Sequence, residues 1–269
     1  MTNPTQPIAT TFSNLEDGVY RNAKGLSKSM LTHFMRSPAH YQHALTETRE
    51  PTEAMNFGTA FHASILLDNP NSAFAVKRKV DGRTKEGKEY NERFALENQG
   101  KAIINEEQEV CIKGCIASIH NHPFAADLFS GITEREFSVF GTKQDNVIEP
   151  VVLKGRMDAY DAKRGFVIDY KTCEDASPNG FMKAIWSYKY HMQHVQYKWL
   201  IENAGLPFKA FYFVCVEKTP PYASAVYIIH ADSIARGIDN WEQNIFEFSQ
   251  CQNSGIWPAY SAAPVVIEL

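Results

Sequence analysis

The stretch LKGRMDAYDAKRGFVIDYKTC, Leu153 to Cys173, decides how the chain is read. VVLKGRMDAYD and GFVIDYKTC alternate as strands, and DAKRG between them has the composition of a hairpin connector. Side chains on a strand alternate faces, so Asp169 and Lys171 share one side while Tyr170 takes the other. Asp158 lies 11 positions before Asp169. Two carboxylates and an ammonium on one face are costly to bury without partners, so the pair of strands demands compensation. Oxygen ligands from Asp158 and Asp169 suit Mg2+ or Mn2+, with Lys171 placed to orient or help deprotonate a bound water. An ordinary hairpin with surface charges is the competing reading, because a D…D-x-K match is short.

Outward from this hairpin the pattern is mixed α/β. Residues 1–19, rich in Thr, Pro and Asn, read as a flexible arm, and residues 20–269 as a single domain. In GLSKSMLTHFMRSPAHYQHAL, Leu26, Met30, Leu31, Phe34 and Met35 recur at helical spacing, with Ser27 or Ser29 available to cap and Pro38 to interrupt. A strongly apolar helix is expected over about residues 52–67, another over 105–129 ending near His122-Pro123, a long one over 178–203 carrying YKYHMQHVQYKWL, and a last over 232–254. TEREFSVFG precedes the hairpin as a strand, and PFKAFYFVCVEK and YASAVYIIH follow as two more. This order predicts a mixed central sheet flanked by helices.

Composition narrows the function. The chain has 269 residues, 44% hydrophobic and 22% charged, with a formal charge of -4. Nucleic-acid binding would therefore need a local positive surface, and the densest cationic run is VKRKVDGRTKEGKEYNER, Val76 to Arg93. That run reads either as a solvated loop entering a helix or as a phosphate-contacting loop led by Lys77 and Arg78. The five cysteines fit neither a disulfide framework nor a zinc site and read as reduced thiols. No apolar run reaches bilayer length and the first residues lack a signal-peptide pattern, so the expected compartment is cytoplasmic. His62, inside the apolar helix, is either a core histidine or a further metal ligand; Gln193 and Tyr197, four apart, share a helix face.

GLSKSMLTHFMRSPAHY, FGTAFHASILL, GRMDAYD, VIDYKT and YKYHMQHVQYKW, followed by FYFVCVE and WPAY, occur in an order that resembles the PD-(D/E)XK nuclease superfamily. Within it the chain is most similar to the RecE-like exonucleases of phages and prophages. The resemblance implies a restriction-endonuclease-like core. It makes His62 a helix-borne metal ligand, Asp158 and Asp169 the acidic ligands, the Tyr170 carbonyl a further ligand, and Lys171 the catalytic lysine. Gln193 and Tyr197 match a Gln-x-x-x-Tyr motif around the scissile phosphate. Glu136 occupies a strand where relatives carry a site-proximal acid, though a surface glutamate fits as well. Ser29, or Ser27, corresponds to a serine that holds a 5′-phosphate, while helix capping explains both equally. Arg156 suits either a DNA backbone contact or an ion pair with Asp158 or Asp161.

The activity implied is Mg2+- or Mn2+-dependent digestion of one strand of linear double-stranded DNA, 5′ to 3′. It leaves 3′ tails for a single-strand annealing recombinase of the RecT-like kind in a bacterial host cell. A homo-oligomeric ring, trimer or tetramer, goes with it, its channel lined by loops such as Lys77 to Lys88. The alternatives are a PD-(D/E)XK endonuclease, a RecB or CRISPR-adaptation type of nuclease, and a non-catalytic DNA-binding module on a nuclease fold. The iron–sulfur version would need a C-terminal cysteine group, where Cys251 stands alone.

Overall fold

A computed structural model describes residues 9–47, 50–261 and 263–266. Among these, the strands are β1 (Ala9–Phe12), β2 (Phe74–Lys77), β3 (Ala102–Asn105), β4 (Glu134–Lys143), β5 (Val151–Asp161), β6 (Phe166–Cys173), β7 (Ala210–Glu217) and β8 (Ser224–Tyr227). The helices are α1 (Asp17–Asn22), α2 (Lys28–Arg36), α3 (Pro38–Thr46), α4 (Glu53–Leu66), α5 (Lys85–Glu97), α6 (Glu106–Asn121), α7 (Pro123–Ser130), α8 (Pro178–Tyr188), α9 (Tyr190–Asn203) and α10 (Ala231–Ser254). Six strands form one sheet in the order β1-β4-β5-β6-β7-β8, antiparallel throughout except for the β6–β7 pair. The short parallel pair β2–β3 stands apart as a second sheet.

Helix starts follow side-chain chemistry. Ser27, Ser37, Thr52, Thr84 and Ser177 each accept a backbone N–H three residues on, and Pro38, Pro123 and Pro178 occupy first helical positions where no donor is needed. Asn105 and Gln108 form a reciprocal capping box on α6. One helical segment ends where expected, near His122-Pro123, and the helix expected to be continuous over 178–203 is broken. His122 and Pro123 end α6 and start α7, and Lys189, in the left-handed conformation at φ 57°, turns the chain between α8 and α9. A lysine at that conformation leaves no pattern in the sequence, because only Gly, Asn or Asp advertise it.

The sheet separates two apolar layers. One face carries Leu153, Val167 and Phe213 against Leu31 of α2, Leu200 of α9 and Trp241 of α10. The other carries Ile168, Tyr170 and Val214 against Phe61 of α4, Ile112 of α6 and Leu128 of α7. α4, expected to be apolar nearly all round, is amphipathic in fact: Phe57, Ala60 and Phe61 are buried while Met55 is exposed. Gly155 lets α9 lie close on β5, since a Cβ there would stand 2.8 Å from Leu200 Cδ1 and 2.9 Å from Tyr197 Cε1.

Over its described part the expected N-terminal arm carries regular structure. Ala9–Phe12 pairs with Phe140 and its neighbours as an edge strand, and α1 follows; residues 1–8 lie outside the described residues. α1 buries none of its residues. Charge holds it instead: the Lys154 ammonium donates to the carbonyls of Tyr20, Arg21 and Ala23 at 2.9, 3.0 and 2.7 Å, capping the helix's C-terminal end.

The feature that creates a site is a fork in the sheet. β5 and β6 pair only beside their hairpin, Ala159 with Ile168, Tyr160 with Val167 and Asp161 with Phe166. Beyond those rungs β5 stays with β4 and β6 with β7. Leu26 occupies part of the gap: its N–H donates to Val152 O at 2.8 Å, and Lys154 N–H donates to Leu26 O at 3.2 Å. The buried Gln196 amide closes the arrangement by donating to the carbonyls of Leu26 and Lys154 at 3.0 and 2.9 Å.

Candidate active site

The register arithmetic of the sheet brings three acids into one cross-strand row. Asp158 and Asp169 face each other one position beyond the last β5–β6 rung, and Glu136 of β4 occupies the position opposite Asp158, missing from an otherwise continuous ladder. Glu136 has φ 47°, a conformation unfavourable for a residue with a side chain and a mark of strain at functional positions. The fork leaves the Tyr170 N–H without a backbone partner on β5; the Asp158 side chain accepts it instead, through Oδ2 at 2.7 Å. Local sequence thus supplies the alternation, and the splayed strands turn it into a cluster.

α4 delivers the histidine. His62 Nδ1 lies 3.3 Å from Asp158 Oδ1, and ligand atoms of His62, Glu136 and Asp158 all fall within 4.8 Å of one another. One imidazole nitrogen with carboxylate oxygens at that separation is a donor set that fits a divalent cation such as Mg2+ or Mn2+. Asp169, the other expected acidic ligand, turns its oxygens to two neighbouring side chains. Oδ1 accepts from Gln193 Nε2 at 2.5 Å, and Oδ2 is ion-paired to Lys171 Nζ at 2.5 Å. Glu136, left ambiguous by the sequence, takes the place nearest His62 and Asp158. Tyr170 contributes its amide to Asp158, and its side chain is buried in the second apolar layer.

Electrostatics follow from burial and proximity. Burial pushes the His62 imidazole down, yet the Asp158 carboxylate, by charge and hydrogen bond, carries it up to about 9. Asp158 is pushed up by burial, and His62, Lys171 and the Tyr170 N–H hold it below the ordinary carboxylate range. Asp169 is raised, by burial first and also by Asp158, against the opposing pull of Lys171. Burial and the Asp158 charge lift Glu136 to about 7. For Lys171, burial disfavours the charge but Asp169 and Asp158 outweigh it and hold the ammonium protonated.

The remaining expected residues divide. Gln193 reaches Asp169 and so touches the cluster. The Tyr197 hydroxyl instead donates to the Arg156 carbonyl at 2.8 Å and its ring stacks on Phe211, bracing β5. Arg156 pairs with neither Asp158 nor Asp161. Its Nη1 lies 3.1 Å from Asp17 Oδ1 and 3.6 Å from Glu136 Oε2, Nε donates to Ser138, Nη2 donates to Leu15 O, and the guanidinium lies 4.2 Å from the centroid of the Tyr20 ring. Those contacts commit it to the N-terminal segment. Asp161 pairs with Arg164. Ser27 caps α2 by accepting the Met30 N–H, while Ser29 is exposed. Lys77 and Arg78 are exposed at the end of β2, in the wall of a groove of about 590 Å3 with Glu53 at the start of α4. His62 lies nine residues further along that helix, on the order of 13 Å by helical rise.

The sequence reading missed Lys28. Its ammonium donates to the Tyr188 carbonyl and lies 5.5 Å from the centroid of the Tyr190 ring, the same ring that Lys171 approaches at 5.0 Å. Burial, then Lys171, push its pKa down to about 8. A lysine after a capping serine gives no sequence signal of this position; only the placement of Leu26 in the fork carries it there.

No curated protein matches the sequence. A solved structure of a candidate exonuclease from Eubacterium rectale is similar with a TM-score of 0.61 at 13% identity, covering 90% of this chain and 88% of that one. A phage-related exonuclease from Haemophilus somnus 129PT aligns over 73% of this chain and 94% of its own at 14% identity, with a TM-score of 0.32. Residues 27–265 match the model of the family described as a PDDEXK-like domain of unknown function. The expected PD-(D/E)XK fold is thereby borne out, and the chain belongs to that PDDEXK-like family, DUF3799.

Proposed function

We propose that the protein is a metal-dependent exonuclease that digests one strand of linear double-stranded DNA, 5′ to 3′. The observation that carries the reading is the convergence, in the β5–β6 fork, of His62, Glu136 and Asp158 beside the Asp169–Lys171 ion pair. A divalent cation there, Mg2+ or Mn2+, would favour ionisation of water and stabilise the leaving oxygen. Every other part of the chemistry falls to side chains. His62, Glu136 and Asp158 would hold the cation, and Glu136 and Asp158 would balance its charge. Gln193 fixes the Asp169 carboxylate, and Asp169 in turn fixes the Lys171 ammonium. Lys171 positions the attacking water and offsets negative charge that grows on the phosphate in the transition state.

The finer parts of the reading rest on the resemblance to RecE-like enzymes. They are the 3′ tails passed to a single-strand annealing recombinase, the homo-oligomeric ring and a bacterial cytoplasm. Among the described residues no helix is long and apolar enough to cross a membrane. Exposed Lys77 and Arg78 suit a salt-dependent phosphate contact, which would reconcile DNA binding with the chain's net charge of -4. Ser29, exposed on the first turn of α2, suits the 5′-phosphate better than Ser27, whose hydroxyl is used as a cap.

The test is digestion of linear duplexes labelled separately at each end, carrying 5′-phosphate or 5′-hydroxyl, with Mg2+ or EDTA, beside an Asp169→Ala variant and a covalently closed circle. Release of 5′ label from linear DNA, dependent on metal and lost in the variant, is expected. Cleavage of the circle would turn the reading to an endonuclease, and activity in EDTA or in Asp169→Ala would remove the mechanism.

A further inference from the structure

α8 turns to solvent the kind of side chain that α9 hides. α9 buries every residue from His191 to Tyr197, whereas α8 buries Phe181 alone. Met182 and Trp186, one helical turn apart, stay 53% and 39% exposed, and Tyr188, at the helix end, is 60% exposed. Lys189, left-handed at φ 57°, turns the chain there, and Tyr188 stands at the corner with one face stacked on Tyr190, ring centroids 5.6 Å apart. Inward the stack continues from Tyr190 to Phe213. Outward it stops at Tyr188, which meets no further ring among the described residues.

Charge follows the same face. From Ala176 to Ile201 the sequence holds Lys183, Lys189 and Lys198 and no aspartate or glutamate, in a chain of net charge -4. Lys198 is paired to Glu202. The Arg236 guanidinium of α10 lies 5.4 Å from the centroid of the Trp186 ring. Among the described residues neither Arg236 nor Lys183 forms an ion pair. Asp232, one turn before Arg236, faces His230 at 3.6 Å. The Asp175 carboxylate accepts the Ser177 N–H at 2.8 Å and feels the Lys183 charge without pairing to it.

Exposed rings interleaved with cations suit unpaired nucleobases and the phosphates between them, since every base has a π-face and the backbone is anionic. Bases inside a duplex present no free face. The lack of acids favours a polyanion over an apolar peptide. Tyr190 joins this face to the candidate active site, because Lys171 approaches the same ring at 5.0 Å. Resting on the nuclease reading above, we infer that Trp186 and Tyr188, with Lys183 and Arg236, form a stacking surface for single-stranded DNA. Its occupant is the uncut strand, the one continuous strand that digestion leaves unpaired.

The experiment measures binding of the full chain in EDTA to a fluorescent single strand, to an abasic strand of equal length, and to duplexes that are blunt, 3′-tailed or 5′-tailed. Cleavage of the blunt duplex in Mg2+ runs in parallel. Tyr188→Ala and Trp186→Ala are each expected to bind the single strand on the order of tenfold more weakly and the abasic strand as the parent does, while Tyr188→Phe and Trp186→Phe keep the parent's affinity. Lys183→Gln combined with Arg236→Gln should weaken both strands and lower the salt slope by roughly one unit. A 3′ tail should tighten duplex binding by the parent but not by Tyr188→Ala. Photocrosslinking of an iodouracil strand to the parent, mapped by mass spectrometry, needs no substitution and should mark Trp186 or Tyr188. Equal affinity for the base-bearing and abasic strands, with no crosslink on α8, refutes the surface even where the blunt duplex is cleaved. Tighter binding from a 5′ tail and none from a 3′ tail refutes the choice of strand. Base-dependent binding, lost in the alanine variants of a parent that cleaves no duplex, keeps the surface and removes the nuclease reading.

Discussion

Replacing Lys171 by Met should destabilise the metal-free protein as well as abolish activity. Asp169 is 2% exposed, and its two oxygens face one amide and one ammonium. Removing the ammonium leaves a buried carboxylate beside Asp158 with only Gln193 for support. Breaking a buried pair from one side costs about 3–5 kcal/mol, whereas removing both charges is close to neutral. Lys171→Met should therefore lose about 3–5 kcal/mol at neutral pH, and Lys171→Met combined with Asp169→Asn should return to within about 1 kcal/mol of the parent. The deficit should shrink on acidification. Burial already raises the Asp169 pKa in the parent; losing Lys171 raises it further, so the folded variant binds the proton more tightly than the unfolded chain and gains stability as pH falls. Urea denaturation in EDTA measures all three quantities, and added Mn2+ should stabilise Lys171→Met by restoring positive charge beside the acids. A Lys171→Met protein within 1 kcal/mol of the parent at neutral pH would refute the claim that this ion pair is a buried, mutually dependent unit.

Other consequences are equally direct. Gln196→Leu removes donors to the Leu26 and Lys154 carbonyls and the acceptor 3.3 Å from Trp241 Nε1; a loss of about 2–5 kcal/mol is expected in urea, and an unchanged midpoint would show that the fork does not depend on this amide. In the metal-free protein, the His62–Asp158 pair contributes stability that is fully present below the imidazole's unfolded value of 6.5 and disappears as pH rises through about 9. The stability difference between the parent and His62→Gln in EDTA should therefore narrow across that window, and a difference that is flat with pH would contradict the pairing. Asp17→Asn releases one restraint on Arg156 and lets it close on Glu136, so Mn2+ affinity measured by calorimetry should fall on the order of tenfold. Adding Arg156→Gln should restore it, whereas a merely structural role for Asp17 predicts no rescue.

Much of this was legible in the chain itself. Period-2 alternation in VVLKGRMDAYD and GFVIDYKTC fixed the two strands and put Asp169 and Lys171 on one face, because successive side chains on a strand cannot share a side. Serine and threonine ahead of apolar runs, with prolines at first helical positions, set where most helices begin, since capping is a contact between neighbours in sequence. The motif order gave the PD-(D/E)XK fold, and with it Asp158, Asp169, Lys171, His62 and Gln193, all of which lie in or beside the cluster.

Tertiary structure alone decided the rest, and the reason is distance along the chain. Glu136 joins the site only because β4 and β5 pair in a register that sets it opposite Asp158, 22 positions away in sequence. The fork between β5 and β6 leaves no trace in hydropathy, since the apolar and polar residues on either side of it alternate as they would in a paired strand. Lys28 reaches Tyr190, and α1 reaches Arg156, through side-chain and backbone contacts spanning more than 100 residues. Alternation reports which way a side chain points; which distant strand, helix or charge it meets is settled when the layers pack.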